Sequence, residues 1–294
     1  MASIAELRKK IKGVGSTRQI TNAMKMVAGA RFARAARQRT DALYYADELE
    51  KSLFVLLSIQ GPRTGGIFSL FRAPGSVEQP PAERTGLMVI AADKGLAGDF
   101  NNSILRSADD YVAKHGARVR VLVAVGRKSV EHYKKAKVPN KIDHAHFFNR
   151  FDFSIADTIG QEVLKLYLEE QLDELVVVRS NFKSMIKQQV VVSRLLPVEP
   201  GIPDDPLYRC TITEPPEEDE VLETLLPMFL NARLYGFLRD SYTAELSARM
   251  RAMDNATRNA GTLIDTITLE MNKVRQAMIT REIAEIIATN EVVK

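Results

Sequence analysis

Two histidines are the side chains of this chain best suited to metal chemistry. His144 and His146 lie two residues apart, so on a β-strand they would point to one face. Only Asp143 accompanies them, whereas a zinc site takes three or four His, Cys, Asp or Glu ligands. The pair therefore predicts solvated histidines and no metal site. No nucleophile with a base and an orienting partner is recognisable elsewhere in the sequence.

The glycines do not form a phosphate-binding motif. No G-x-G-x-x-G follows the first predicted strand, and G-x-x-x-x-G-K-[ST] is absent. Gly13 and Gly15 lie inside a basic helical segment and not in a strand-to-helix turn. The loop from Asp93 to Asn101 holds two glycines, and Asp99 or Asn101 can cap the following helix. A structural turn is the favoured interpretation of this loop, with a ligand-binding loop as the alternative. The sequence thus predicts no catalytic residue and no cofactor.

Composition is that of an ordinary globular protein. The chain has 294 residues, of which 45% are hydrophobic and 27% charged. No stretch has the length of a transmembrane helix, and the N-terminus lacks the apolar run of a signal peptide. The single cysteine, Cys210, excludes an intramolecular disulfide and suits a reducing compartment.

The middle of the chain, residues 85–195, has the pattern of an α/β domain. Short apolar runs predict strands at Leu87–Ala92, Val119–Val125 and Leu175–Val178, and a further, edge strand at Gln189–Leu195. Helical segments are predicted at 101–114, 127–136 and 154–171. Their alternation indicates a Rossmann-like domain with a largely parallel sheet. A Pro/Gly-rich linker (61–84) precedes it. An acidic, Pro-rich connector (196–219) follows, and its acidic run Glu217–Glu220 is typical of a helix start.

The C-terminal segment, residues 220–294, has the repeat of a coiled coil. Apolar or small residues alternate at spacings of four and three. They are Leu246, Met250, Met253, Thr257, Ala260, Ile264, Ile267, Met271, Val274 and Met278. A helix from about Glu220 to about Asn290 would be about 100 Å long at ~1.5 Å per residue. So narrow a seam predicts pairing with another long helix.

The N-terminal segment, residues 1–60, offers that partner. Ser3 and Glu6 form a capping box that predicts the helix start. A similar seam is predicted at Ile4, Leu7, Ile11 and Val14, then, after a three-residue slip, at Thr17, Ile20, Met24 and Val27, and later at Ala42, Ala46, Leu49, Leu53 and Leu56. Such a slip would overwind the coiled coil locally. The prediction is a long antiparallel coiled coil of the two termini, with Val14 near Ile267; two ordinary bundle helices are the alternative.

Charge is concentrated at the N-terminus. Residues 1–40 hold many cations and one acid, Glu6. The cations are Arg8, Lys9, Lys10, Lys12, Arg18, Lys25, Arg31, Arg34, Arg37 and Arg39. A basic helix can bind nucleic acid, an anionic membrane or an acidic protein. A basic coiled-coil nucleic-acid-binding protein is therefore the alternative function. The scarcity of aromatic residues for base stacking, with Phe32 alone before Tyr44, argues against it.

Three motifs resemble those of one family. The segment RQITNAMKMVA (18–28) is similar to the N-terminal helix of the gamma subunit of F-type ATP synthases. The segment DKGLAGDFN (93–101) resembles that family's loop S-D-R-G-L-C-G-G-F-N, with Lys94, Ala97 and Asp99 as departures. ARMRAM (248–253) and NKVRQAMITREIAEI (272–286) resemble its C-terminal helix, although Thr289-Asn290 replaces a common Gly-Ala pair. The regulatory cysteine pair of chloroplast forms is missing, so the resemblance indicates a bacterial form, with a mitochondrial one as the alternative.

The resemblance implies a rotor shaft. The helix pair would lie in a hexamer of alternating alpha and beta subunits, and the α/β domain against the epsilon subunit and the c-ring. Proton flow would turn the ring and the shaft, while catalysis of ATP synthesis or hydrolysis would belong to the beta subunits. The chain would then be a non-catalytic, peripheral protein on the cytoplasmic face of the bacterial inner membrane. The residues implied to contact alpha or beta subunits are Met24, Lys25, Arg249, Arg275, Gln276, Thr280 and Glu282.

Overall fold

The computed structural model describes residues 3–60, 70, 83–135, 138, 140–146, 152–185, 188–198 and 218–292. Its helices are α1 (Ile4–Gln60), α2 (Phe100–His115), α3 (Arg127–His132), α4 (Phe153–Leu168) and α5 (Glu218–Val292), with a 3₁₀ turn at Tyr133–Lys135. Its strands are β1 (Thr85–Ile90), β2 (Val119–Val125), β3 (Asn140–His144), β4 (Glu174–Phe182) and β5 (Gln188–Leu196). Most of the predicted linker and connector, and Cys210, lie outside the described residues.

The chain forms two compact units. One, the helix-pair unit, comprises Met1–Ala30 and Arg249–Lys294, and the other, the sheet unit, comprises Arg31–Ala248. α1 and α5 each contribute to both units as continuous helices. The five sequence segments with boundaries at 60, 84, 195 and 219 stay a prediction. Among the described residues, no helix combines the length and hydropathy that crossing a membrane requires.

The sheet unit contains one five-stranded sheet in the order β3-β2-β1-β4-β5. β1 pairs in parallel with β2 and β4, β2 pairs in parallel with β3, and β5 pairs antiparallel with β4. The predicted, largely parallel sheet and its edge strand β5 are confirmed. β3 was missed, because the polar sequence Asn140–His144 at the sheet edge lacks an apolar run. The predicted helix 127–136 is shorter, since α3 ends at His132.

Two apolar clusters cover the faces of the sheet. On one face, Met88, Ile90, Val123 and Val177 pack with side chains of α4 and α5. On the other face, Leu87, Val89, Leu122, Val176 and Val178 pack with Phe100 and Ile104 of α2 and with Ala244 and Ala248 of α5. A strand buried on both faces reads as a continuous apolar run. This burial explains why β1 and β2 were visible in the sequence.

Within the sheet unit, α1 and α5 run antiparallel. Arg39 contacts Asp240, and Asp47 contacts Arg233, so the residue number rises along α1 as it falls along α5. Small side chains of α1 are buried, followed by a larger one. They are Ala35, Ala42, Ala46 and Leu53. Leu53 packs with Leu222, Leu226 and Phe229 in a separate apolar cluster. The helices therefore approach closely where α1 carries alanine.

Within the helix-pair unit, the two helices are also antiparallel. Thr21 Oγ1 lies 2.8 Å from Thr257 Oγ1, and Lys25 Nζ lies 2.6 Å from Asp254 Oδ1. The predicted capping box is confirmed, because Glu6 Oε2 accepts from the Ser3 backbone N at 2.9 Å and Ser3 Oγ accepts from the Glu6 N at 3.3 Å. The coiled coil of N- and C-terminal helices is thus present as predicted.

The two predicted seams have different outcomes. Along α5, every predicted seam residue from Leu246 to Val274 is buried or half-buried, but Met278 is exposed. Along α1, the predicted slip is wrong. Thr17, Ile20 and Val27 are exposed, and the buried positions follow an unbroken seven-residue repeat. These positions are Leu7, Thr21, Ala28, Ala35 and Ala42, with Val14 half-buried. The predicted seam of α1 was built mainly on the larger apolar side chains, whereas the observed seam consists largely of threonine and alanine.

Candidate functional site

The loop after β1 uses its polar groups to hold itself and its neighbours. Asp93 Oδ1 accepts from the backbone N of Arg127 and of His146, both at 2.9 Å. Asn101 Oδ1 accepts from the Ala92 N at 2.9 Å, and its Nδ2 donates to the Lys94 O at 3.3 Å. These bonds join the ends of strands β1, β2 and β3, which supports a structural turn here. The predicted capping differs: Asp99 is at the N-cap but makes no side-chain bond to the helix backbone.

The histidine pair does not share a strand face. β3 ends at His144, and His146 follows it with a positive φ of 69°. The His144 ring Nε2 lies within hydrogen-bond distance of Glu162 Oε2 of α4, at 2.8 Å, so this histidine is partnered and mostly buried, not solvated as predicted. In the part of the chain that the structure describes, no group of three or more His, Cys, Asp or Glu side chains could hold a metal ion.

The helix-pair unit carries an unusual surface along α1. Ile20, Met26 and Val27 expose 60%, 61% and 54% of their area. Because the seam is occupied by Thr21, Lys25 and Ala28, these apolar residues face outward. Apolar residues exposed together on one helix mark a contact surface more often than an isolated one does. This surface was not predicted from the sequence, because apolar spacing placed Ile20 and Val27 in the seam. The seven-residue spacing of small residues along α1 could have identified the true seam, and with it the exposed apolar surface.

The helix that carries this apolar surface is also rich in exposed basic residues. Except for Lys25 and Arg39, which bind Asp254 and Asp240, the cations of residues 1–40 are exposed. The Lys25 and Arg258 side chains both bind Asp254, and these bonds lower the pKa of its carboxyl. The surface is therefore both cationic and partly apolar, which suits an acidic protein partner with apolar side chains.

A shallow cleft of about 600 Å³ lies on the same unit, between α1 and α5. Its lining is basic and polar along α1, with one apolar residue from α5. The lining residues are Lys12, Gly15, Ser16, Arg18, Gln19, Asn22, Thr257 and Ile264. No atom lies within 4 Å of a Cβ built on Gly13 or Gly15, so these glycines leave open space along the helix. The cleft extends the cationic surface beyond the exposed apolar residues.

The last part of α5 has no α1 residues opposite it. Thr21 of α1 lies beside Thr257 of α5, and in an antiparallel pair each residue toward the start of α1 corresponds to one residue toward the end of α5. Ile4, the first residue of α1, therefore lies opposite Val274. From Arg275 to Ile287 every α5 residue is exposed. Large apolar side chains are among them, at Met278, Ile279, Ile283, Ile286 and Ile287. A helix that exposes apolar residues is suited to binding another protein.

The predicted contact residues fall into two groups. Arg275, Gln276, Thr280 and Glu282 lie together on the exposed part of α5, where Thr280 Oγ1 donates to the Gln276 O at 2.9 Å. Met24, Lys25 and Arg249 lie nearer the seam and are half-buried. The Asp254 partner of Lys25 was not predicted, although it is a carboxylate within a strongly basic coiled coil.

Comparisons with known proteins cover nearly the whole chain. The family model described as ATP synthase matches residues 3–293. The ATP synthase gamma chain of Moorella thermoacetica is 34% identical over 298 residues, covering 100% of both chains. That of Desulfitobacterium hafniense is 35% identical over 288 residues, covering 98% of both. This chain belongs to the ATP synthase gamma chain family.

Solved structures agree on the fold. A chain of the Euglena gracilis mitochondrial ATP synthase (OSCP/F1/c-ring, rotational state 3) matches with a TM-score of 0.67 at 16% identity, over 99% of this chain and 94% of that one. A chain of the Tetrahymena thermophila mitochondrial ATP synthase central stalk/c-ring matches with a TM-score of 0.58 at 19% identity, over 81% and 99%. The family model and the bacterial relatives confirm the resemblance to the gamma family, and the nucleic-acid-binding alternative finds no support among them.

Proposed function

We propose that this gamma chain is the central rotor shaft of an F-type ATP synthase. The helix-pair unit would turn inside the alpha–beta hexamer, and the sheet unit would bind the epsilon subunit and the c-ring. Proton-driven rotation of the ring would turn the shaft, whose uneven surface would drive the beta subunits through different conformations. The observation that carries the proposal is the full-length match to gamma chains at 34–35% identity. The working location is the cytoplasmic face of the bacterial inner membrane.

The surface of the helix-pair unit supports the proposed hexamer contacts. Met24, Lys25, Arg249, Arg275, Gln276, Thr280 and Glu282 would contact alpha or beta subunits. Of these, Arg275 allows the clearest test, because it is exposed and has no α1 residue opposite. A charged hydrogen bond contributes about 1.5–3 kcal/mol, so losing it should weaken binding about ten- to a hundredfold.

A matched pair of variants tests this assignment. Arg275→Ala and Lys273→Ala each remove one exposed cation from the same helix turn. Both chains are titrated into alpha and beta subunits, and hexamer binding and ATP hydrolysis are measured. Arg275→Ala should weaken binding and Lys273→Ala should not. Equal effects of the two variants would remove Arg275 from the contact set, whereas failure of the unaltered chain to bind alpha and beta subunits would contradict the rotor proposal.

The rotor proposal also makes the chain non-catalytic by itself. Its one nucleotide-site candidate, the loop from Asp93 to Asn101, uses its carboxylate and amide to bind backbone groups of the fold. The purified chain should therefore neither bind ATP tightly nor hydrolyse it. Equilibrium dialysis against ATP and magnesium measures this directly. Stoichiometric micromolar binding that is lost in Lys94→Ala would identify the loop as a ligand site.

A further inference from the structure

One buried carboxylate in the sheet unit binds three groups from two other elements of the fold. Asp240 of α5 has a side chain that is 3% exposed. Its Oδ1 accepts from Arg39 Nε of α1 at 2.5 Å and from the Phe182 backbone N of β4 at 3.2 Å. Its Oδ2 accepts from Arg179 Nη1 of β4 at 2.6 Å. A single side chain of α5 thus joins α1 and the sheet.

Further contacts fix the two guanidinium groups. Arg39 Nη2 donates to the Phe182 O at 3.0 Å, so Arg39 binds both the carboxylate and the strand backbone. The Arg179 guanidinium carbon lies 4.0 Å from the centroid of the Phe237 ring. Arg39 lies over the Phe182 ring at 5.5 Å. We call Arg39, Arg179, Phe182 and Asp240 the Asp240 clamp. Every charged group in it is held from at least two directions.

Stability alone does not account for the clamp. Burial lowers the pKa of the Arg179 guanidinium below its usual value, together with the nearby cations Arg233 and Arg39 and against the opposing effect of Asp240. Buried ion pairs are often no more stabilising than well-packed apolar side chains of the same volume. Two arginines facing one carboxylate also leave an excess positive charge in a buried place. The charged residues at these positions must therefore have a role that apolar residues could not fill.

Apolar contacts do not fix the orientation of a helix, whereas charged hydrogen bonds do. Hydrophobic attraction depends on area and not on orientation, so a helix can slide or turn by a fraction of a turn while keeping much of it. Charged hydrogen bonds have fixed lengths and angles, and bidentate guanidinium contacts add geometric specificity. α5 also contacts the sheet through apolar residues such as Leu230, Leu234 and Leu238, and through a hydrogen bond from Gln188 Nε2 of β5 to the Ala244 O at 2.7 Å. Turning α5 against β4 would separate Asp240 from Arg179 and from the Phe182 amide.

We propose that the Asp240 clamp transmits torque between the sheet and the two long helices. This inference rests on the rotor function proposed above. Force applied to the sheet unit would reach α5 through Asp240 and α1 through Arg39. Both helices continue without a break into the helix-pair unit, so they would carry the torque along the chain. Arg39, Arg179 and Asp240 are positioning residues for coupling and take no part in the chemistry of ATP.

The test separates coupling under load from assembly. The triple variant Arg39→Met, Arg179→Met and Asp240→Leu replaces the charges with apolar side chains and should keep the fold. It is assembled with alpha, beta and epsilon subunits, the c-ring and its membrane partner in vesicles. ATP hydrolysis and proton pumping are measured together against an increasing proton gradient. Hydrolysis without a gradient should match that of the unaltered complex, while the protons pumped per ATP should fall several-fold as the gradient rises.

Two controls make the outcome decisive. Asp47→Asn breaks an exposed contact between α1 and Arg233 of α5 in the same unit, and its pumping should be unchanged. Arg39→Met removes the contact with α1 and leaves the Asp240–Arg179 pair in place, so it provides the same measurement if the triple variant does not assemble. Pumping by either clamp variant to the same final gradient as the unaltered complex would overturn the inference. Failure of the unaltered complex to couple hydrolysis to pumping would instead overturn the rotor proposal.

Discussion

The two units hold the same pair of helices together by different means. In the helix-pair unit, Lys25 binds Asp254 with 41% of the lysine side chain exposed, and the adjacent seam position is a threonine pair. In the sheet unit, Asp240 is 3% exposed and binds two arginines. An exposed pair contributes little to stability, whereas breaking a buried pair leaves an uncompensated charge. One helix pair thus has a lightly held region and a firmly held region.

The difference also shows in where the apolar side chains lie. In the sheet unit, Leu53 and Phe229 are fully buried in one cluster. In the helix-pair unit, Ile20, Met26 and Leu269 are exposed. Apolar surface turned outward cannot stabilise its own unit, but it can bind a partner. Several large apolar side chains of the helix-pair unit are therefore available to a partner protein and do not pack inside the unit. This agrees with the proposed place of the unit inside a hexamer.

The largest expected effect comes from the same truncation made in each unit. Leu53 is 0% exposed and Leu269 is 64% exposed. Leu53→Ala should lower the free energy of unfolding by about 2–5 kcal/mol through lost burial and a cavity. Leu269→Ala should change it by less than about 0.5 kcal/mol. Urea unfolding followed by circular dichroism measures both. Similar losses for the two variants would mean that the units do not differ in internal packing.

A smaller effect, with opposite signs, is expected for two glycines. A Cβ on Gly160 of α4 would lie 1.9 Å from Asn231 Oδ1, and Asn231 is buried and bound to Asp157. Gly160→Ala should therefore destabilise the sheet unit by about 1–3 kcal/mol through overpacking. Gly13 of α1 has no atom within 4 Å of such a Cβ.

Gly13→Ala should stabilise the helix-pair unit by about 0.5–1 kcal/mol, because alanine loses less conformational entropy in a helix. Amide hydrogen exchange assigns each change to its own unit. Slower exchange around Ser16 in Gly13→Ala, with faster exchange around Gly160 in the other variant, is the expected pattern. Destabilisation by Gly13→Ala would mean that the open space beside this glycine is filled by a contact.

The sequence predicted those parts of the fold in which large apolar residues face the core. β2 was located at its observed bounds, and the α5 seam was correct to Val274, because Met and Ile side chains there face α1. Along α1 the same rule failed, since Thr21 and Ala28 are buried while Ile20 and Val27 are not. Hydropathy alone does not identify a helix–helix seam made of small residues when the same helix exposes larger apolar residues on its outer surface.

The clamp could not have been predicted from sequence alone. Arg39 and Asp240 are separated by 201 positions, and each is an ordinary charged residue in an amphipathic helix. Only the antiparallel register brings them together, and only burial by β4 makes them important. Similarly, the exposed end of α5 follows from the register, because α1 begins at Ile4. The contact residues on α5 were suggested by family motifs, and their exposure became known only with the fold.

The smallest expected effect concerns the Lys25–Asp254 contact. Hydrogen bonds from Lys25 and then Arg258 lower the pKa of the Asp254 carboxyl. A carboxyl whose pKa is lower in the folded than in the unfolded chain stabilises the fold above the unfolded-state pKa of about 4, and this stabilisation is lost as the pH falls through the folded-state value.

Lys25→Met should raise the Asp254 pKa toward its ordinary value, while Lys273→Met should leave it unchanged. Carboxyl carbon chemical shifts recorded against pH give this midpoint in each variant. Because the lowered pKa stabilises the fold, a raised midpoint should be accompanied by a small loss of stability near neutral pH that disappears at low pH. An unchanged midpoint in Lys25→Met would mean that Arg258 alone holds the carboxylate and that Lys25 is free to bind a partner.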